Sequence, residues 1–194
     1  MAKLIIGEND LKTWCKKNNR ENLLIEWDYN ANNGLKNKFG RDVSTPDLVM
    51  PNSDIKVSWI CEKGHKYEAT IKNRVNDHGC PFCSGSKLLK GYNDFETWCK
   101  NNGREDLLKE WNYEKNNGMK PCDIIQGGAG KKYWWIGACG HEWDAVISSR
   151  ITVRQGKTRF VKTAGCPYCS NPPKRILVGF NDLESWCKKN QRDN

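Results

Sequence analysis

The strongest constraint on this chain is that it repeats itself. Asn9-Asp10-Leu11-Lys12-Thr13-Trp14-Cys15 returns as Asn93-Asp94-Phe95-Glu96-Thr97-Trp98-Cys99, and again as Asn181-Asp182-Leu183-Glu184-Ser185-Trp186-Cys187. Trp14, Trp98 and Trp186 are spaced by 84 and 88 residues. A repeat of this length makes each copy its own small folding unit, rather than a segment of one large core. The copies delimit residues 1–88, residues 89–175, and a partial third copy over 176–194 that holds only the opening segment.

Within a copy the hydrophobic period changes halfway. Leu11, Trp14 and Cys15 fall at i, i+3 and i+4 after an Asn-Asp pair suited to an N-cap, which predicts a helix. Leu23-Leu24-Ile25-Glu26-Trp27-Asp28-Tyr29 and its partner Leu107-Leu108-Lys109-Glu110-Trp111-Asn112-Tyr113 predict a second helix. It would bury Leu23, Leu24 and Trp27 and end near the Asn-Asn-Gly at Gly34. Ile55, Val57 and Trp59 then alternate with polar residues, as do Tyr133 and Trp135, so the second half reads as short strands. The fold class is α+β: tandem small modules, each a short helical pair followed by a β-hairpin half.

That half also carries ligand sets. Copy 1 has Cys61-x3-His65 followed by Cys80-x2-Cys83, and copy 2 has Cys139-x-His141 followed by Cys166-x2-Cys169. A Cys-x-x-Cys pair turns two thiolates toward one point, and a hairpin bringing a third sulfur and an imidazole completes the tetrahedron zinc prefers. Aligning the two Gly-His pairs places Gly137 opposite Cys61, so Cys139 is the available fourth ligand in copy 2. Four protein ligands leave no open position, so two structural Zn2+ ions are expected. Each would supply on the order of 10 kcal/mol to a half too small to hold itself together. Cys15, Cys99 and Cys187 sit on an apolar helical face and read as core packing. His78 reads as a surface residue, and Cys122 has no repeat partner.

Composition sets the setting. Lys and Arg outnumber Asp and Glu by 32 to 23, a net charge of +9, which attracts polyanions. No apolar run is long enough to span a bilayer, and residues 1–10 lack a signal-peptide core, so no membrane partner is expected and the compartment reads as cytoplasmic. Ten cysteines in that reducing compartment point to metal rather than disulfides.

The strings Asn-Asp…Trp-Cys, Leu-Leu-x-Glu-Trp-x-Tyr-x-x-Asn, Trp-x-Cys-x-x-Gly-His, Ile-x-x-Arg and Gly-Cys-Pro-x-Cys-Ser resemble the bacterial "probable zinc-ribbon" repeat family, also described as treble-clef zinc fingers. The resemblance covers nearly the whole chain. It implies metal ligation by Cys61, His65, Cys80 and Cys83, and by His141, Cys166 and Cys169; the Trp-x-Cys pattern is broken at Gly137. It further implies a zinc-ribbon or treble-clef-like module, in some relatives joined to nuclease-like domains, that binds DNA.

Three function classes follow. The first is non-catalytic nucleic-acid binding, DNA before RNA. Its candidate contacts are Arg74 and Arg150 of the Ile-x-x-Arg motifs, and Arg154, Lys157, Arg159 and Lys162 in an acid-free insertion of copy 2 that reads as a basic hairpin. Trp134, opposite Ser58, is a candidate exposed stacking platform. The second class is a protein-interaction or scaffolding module that docks a partner protein or spaces a fused effector domain. The third, an enzyme, lacks a phosphate loop or a nucleophile beside a base. The acids Glu26, Asp28, Glu105 and Glu110 read as helix-surface charges.

Overall fold

The structure is a computed structural model, and it describes residues 3–151 and 165–191. The chain divides into two compact units, Met1–Ser86 and Lys87–Asn194, and the stretch 176–191 lies in the second. Unit 1 contains helices α1 (Leu11–Lys17) and α2 (Asn22–Ile25), strands β1 (Lys56–Ile60) and β2 (Lys66–Thr70), and helix α3 (Ile71–Val75). Unit 2 repeats the series as α4 (Phe95–Asn101), α5 (Glu105–Lys109), β3 (Lys132–Ile136), β4 (Glu142–Val146) and α6 (Ile147–Ile151), and adds α7 (Leu183–Lys189).

The Asn-Asp pair has two separate jobs. Asp10, Asp94 and Asp182 cap their helices by accepting from the backbone N–H of Thr13, Thr97 and Ser185. The preceding Asn9, Asn93 and Asn181 instead accept at 2.7 Å from the backbone N–H four residues earlier and so close a turn. That turn passes through a glycine at positive φ, Gly7, Gly91 or Gly179, whose N–H donates to the capping Asp. At the other end Asn18, Asn102 and Asn190 donate to the Trp carbonyl of their own helix, each at 2.8 Å. Seven-residue helices, marginal alone, are therefore tied at both ends.

Each unit has an antiparallel two-stranded sheet in the same register, Trp59 opposite Tyr67 and Trp135 opposite Trp143. The helical half joins it by backbone. Ile60 N–H donates to Glu26 O and Asp28 N–H to Ser58 O, so Trp27 pairs with Trp59 as an added rung; Trp111 pairs with Trp135 likewise. The paired indoles meet edge to face, with centroids 5.2 Å apart in unit 1 and 5.3 Å in unit 2. Around them pack Leu11, Cys15, Leu23, Val57 and Ile71 in unit 1, and Phe95, Cys99, Leu107, Tyr133 and Ile147 in unit 2. Burial pushes the thiols of Cys15 and Cys99 up to about 11 and about 12, as befits packing groups.

This rung corrects one expectation. The second helix stops at Ile25 and Lys109 instead of running on toward the Asn-Asn-Gly, because Trp27 and Trp111 leave helical geometry to pair with a strand. Residues 28–34 turn back through the Asp28 side chain, which accepts from Ala31 N–H. Buried Asn32 then bonds both backbone groups of Ser58, at 2.8 and 2.9 Å, and Asn116 does the same for Trp134 at 2.9 and 2.9 Å. These asparagines complete the free edge of β1 and β3 as a further strand would. We expect Asn32→Ala to cost about 1–3 kcal/mol by orphaning that edge, read as a lower urea midpoint of the zinc-loaded protein; an unchanged midpoint would show that water replaces the amide at no cost.

Candidate metal centres

Each metal-bearing half is organised by one arginine. Arg74, in α3, is 5% exposed; its guanidinium forms an ion pair with Glu26 just after α2, lies over Trp59 and Tyr67, and donates to His78 O at 2.8 Å. The chain passes from His78 straight into Cys80, so this side chain links the helical half to the second ligand pair. Arg150, 2% exposed, pairs with Glu110 and lies over Trp135 and Trp143 in unit 2. Arg20 and Arg104 reach in behind them to the carbonyls of Arg74 and Arg150.

Two expectations are corrected together. Arg74 and Arg150, proposed from sequence as phosphate contacts, are interior groups already matched to carboxylates. Glu26 and Glu110 are the acceptors of those arginines, and Asp28 is buried, so these three are not solvated helix charges; Glu105 alone of the four stands exposed on a helix. The cause is the electron-rich π face of the paired aromatics, which favours a weakly hydrated, planar cation.

The eight candidate ligands come together as two sets: Cys61, His65, Cys80 and Cys83, and Cys139, His141, Cys166 and Cys169, with the donor atoms of each set within 4.8 Å of one another. In the first, His65 Nδ1 lies 3.4 Å from Cys61 Sγ, 3.3 Å from Cys83 Sγ and 3.7 Å from Cys80 Sγ, and Cys61 Sγ is 3.8 Å from Cys83 Sγ. A tetrahedral zinc ion with ordinary bond lengths requires edges of about 3.8 Å between sulfurs and about 3.5 Å between sulfur and nitrogen. In the second set His141 Nδ1 is 3.2 Å from Cys169 Sγ and 3.5 Å from Cys166 Sγ. The residues fit two structural zinc ions, both ligated by histidine through Nδ1. An aromatic from the Cys-Pro-x-Cys turn, Phe82 or Tyr168, meets each imidazole edge to face.

Burial raises Cys80 to about 11; burial and the neighbouring thiols Cys139 and Cys166 raise Cys169 to the same level. Burial also works against Cys61 and Cys139, but backbone N–H donors, from His65 and Lys63 for the first and His141 for the second, hold both thiols below their ordinary value. Zinc held by these three sulfurs would keep them as thiolates, with release of protons on binding.

The departure at Gly137 has a steric answer. The backbone turn is the same in both units: Cys61 N–H donates to His65 O at 3.0 Å, and Gly137 N–H to His141 O at 3.0 Å. Gly137 thus occupies the place of Cys61, but the sulfur arrives from Cys139. A Cβ at residue 137 would lie 3.2 Å from Cys139 Sγ and 3.1 Å from the Trp143 ring. The glycine is therefore what admits the relocated ligand, and the only hint in sequence was a cysteine two residues beyond the aligned position.

The remaining candidates fall elsewhere. His78 is exposed. Trp134 is 37% exposed on β3, with Lys115 Nζ 4.6 Å from its ring centroid. Arg154, Lys157, Arg159 and Lys162 lie outside the described residues. Phe180, in the turn before α7, packs edge to face on His141 at 4.3 Å, and Asn181 donates to Tyr168 O, so the opening of the third copy covers the second centre. Sequence reasoning gave no role to Phe180.

Native mass spectrometry should find two zinc ions per chain. Gly137→Ala should weaken the second site at least tenfold toward a chelator and leave the first untouched; equal retention at both sites would remove the steric account of Cys139.

Comparison with known proteins agrees with this geometry. A family model described as a probable treble clef zinc finger domain matches residues 23–86 and again residues 107–172. Among curated proteins none matches the chain. Each matched stretch begins at the second helix of a copy and ends just past a Cys-x-x-Cys pair, so it spans a complete ligand set. The chain belongs to the probable treble clef zinc finger family, in two tandem copies.

Proposed function

We propose that the protein is a non-catalytic, cytoplasmic nucleic-acid-binding module, with DNA preferred to RNA, whose two zinc ions are structural. The observation that carries this reading is the uneven placement of charge. Six carboxylates are drawn inward or onto backbone: Asp10, Asp94 and Asp182 cap helices, Glu26 and Glu110 hold arginines, and Asp28 is buried; others, among them Glu8, Glu21, Glu62 and Glu114, stay exposed. The Asp182 carboxyl is pulled down to about 2 by the Ser185 N–H and hydroxyl. Cations, by contrast, extend into solvent, among them Lys12, Lys16, Lys36, Lys38, Arg41, Lys66, Lys87 and Lys109. The chain as a whole carries a net charge of +9, and its exposed cations suit a polyanion partner. The acid-free segment containing Arg154, Lys157, Arg159 and Lys162 adds four cations in sequence. With four protein ligands at each centre, the metal offers no position for substrate, which supports a binding role over catalysis.

A second reading, docking of a partner protein, rests on the extended surface that tandem modules present.

Fluorescence anisotropy of the zinc-loaded chain with labelled duplex, single strand and RNA separates the two. Nucleic-acid binding through about four phosphates should weaken about a hundredfold between roughly 50 and 200 mM salt. Binding no stronger than that of a charge-matched control would turn the search to proteins.

A further inference from the structure

Unit 1 carries an element that unit 2 lacks. Trp27 and Trp111 are equivalent and 84 residues apart, whereas Pro46 and Pro121, which open equivalent 3-10 turns, are 75 apart. Nine residues, 35–43, account for the difference. The anchor points on either side agree: Trp27 Nε1 donates to Ser44 O at 3.1 Å, and Trp111 Nε1 to Met119 O at 2.9 Å.

The extra residues form a closed arm. Val43 N–H donates to Leu35 O at 2.9 Å, Lys36 bridges Asp42, and Asn37 N–H donates to Arg41 O at 2.9 Å. The Asn37 side chain accepts from the N–H of both Phe39 and Arg41, at 2.9 and 3.1 Å, and Gly40 takes the positive φ that the tip needs. Val43 is anchored in the core with Leu35 against it, so the base is fixed and the tip is shaped by its own hydrogen bonds.

At the tip Phe39 is 75% exposed and belongs to neither core cluster. A single exposed apolar residue is ordinary on any surface. What sets this one apart is its company. Lys36, Lys38 and Arg41 are exposed on the same arm, Lys38 Nζ lies 5.0 Å from the ring centroid, and none of the three forms an ion pair among the described residues. The one acid of the arm, Asp42, accepts from Ser44 N–H at 2.9 Å and lies opposite Lys36, so the arm still carries more positive charge than negative. Because unit 2 folds without this arm, the fold gives no reason for an aromatic ring held out among three cations.

We propose that the arm of residues 35–43 is a contact for unpaired nucleic acid, in which Phe39 stacks on one base while Lys36, Lys38 and Arg41 meet the flanking phosphates. The proposal rests on the nucleic-acid reading above and adds to it a place and a strand preference. An exposed ring and cations at this spacing match what single strands offer, a π face between two charges. A duplex hides its base faces, so there only the cations would bind.

The test uses the full zinc-loaded chain and a single-stranded DNA oligonucleotide containing 2-aminopurine, with a duplex of the same sequence and an acidic peptide of matched charge as comparisons. Phe39→Ala should weaken single-strand binding about five- to a hundredfold and abolish the change in 2-aminopurine emission, while Phe39→Trp retains both. Replacing Lys36, Lys38 and Arg41 by Gln should lower the slope of log affinity against log salt by about 2. Two zinc ions bound to each variant, counted by native mass spectrometry, would establish that folding is intact. If the unmodified chain binds the oligonucleotide but Phe39→Ala binds equally well, the arm proposal fails and nucleic-acid binding stands. If the chain binds no nucleic acid, both fail. Binding to the acidic peptide with the same dependence on Phe39 would overturn the arm proposal in favour of a protein partner.

Discussion

A buried arginine facing a glutamate holds each module together. Arg74 and Arg150 lie where the helical half, the sheet and the metal-bearing turn converge, and in unit 1 one guanidinium contacts all three: Glu26, the rings of Trp59 and Tyr67, and the carbonyl of His78. Removing one partner from such a pair leaves a charge in the interior, at a cost of about 3–5 kcal/mol. Neither half is large enough to absorb that loss from apolar burial alone. The guanidinium and the zinc ion therefore cooperate. The metal closes the β half on itself, and the arginine fastens it to the helices.

The same economy appears in the use of asparagine. One asparagine per unit supplies the hydrogen bonds of an absent strand, another closes the turn before each opening helix, and a third caps that helix. Side chains thus replace backbone pairing wherever a unit of this size runs out of neighbours. This explains why sheets of only two strands persist here, when an isolated hairpin would be marginal.

With the core and the number of ligands held constant, the copies differ in their insertions and in the position of one ligand. Unit 1 has the arm at 35–43; unit 2 has the acid-free insertion after α6 and a relocated ligand at Cys139. Relocation was accommodated by Gly137, a change that leaves the zinc site closed. Among the described residues, the tip of the arm at 35–43 is a change confined to the surface, as expected of a loop on a rigid scaffold.

The repeat, the change of hydrophobic period and all eight candidate ligands are legible from the order of residues alone. Repetition and Cys-x-x-Cys spacing are local facts, and tetrahedral zinc accepts few alternatives. The N-capping aspartates were legible for the same reason, since their partners lie three residues away. The roles of Arg74, Arg150, Glu26 and Glu110 emerge in the folded chain, because Glu26 and Arg74 are 48 residues apart in sequence and Glu110 and Arg150 are 40 apart. Charge alone cannot tell a guanidinium aimed at phosphate from one enclosed by tryptophan. The folded chain also decides where the second helix ends, because Trp27 satisfies a helical period as well as a strand rung until Trp59 is placed beside it. Phe39 was overlooked for the converse reason: a lone aromatic in a polar stretch has no period, and its exposure depends on a closed arm that only the folded chain supplies.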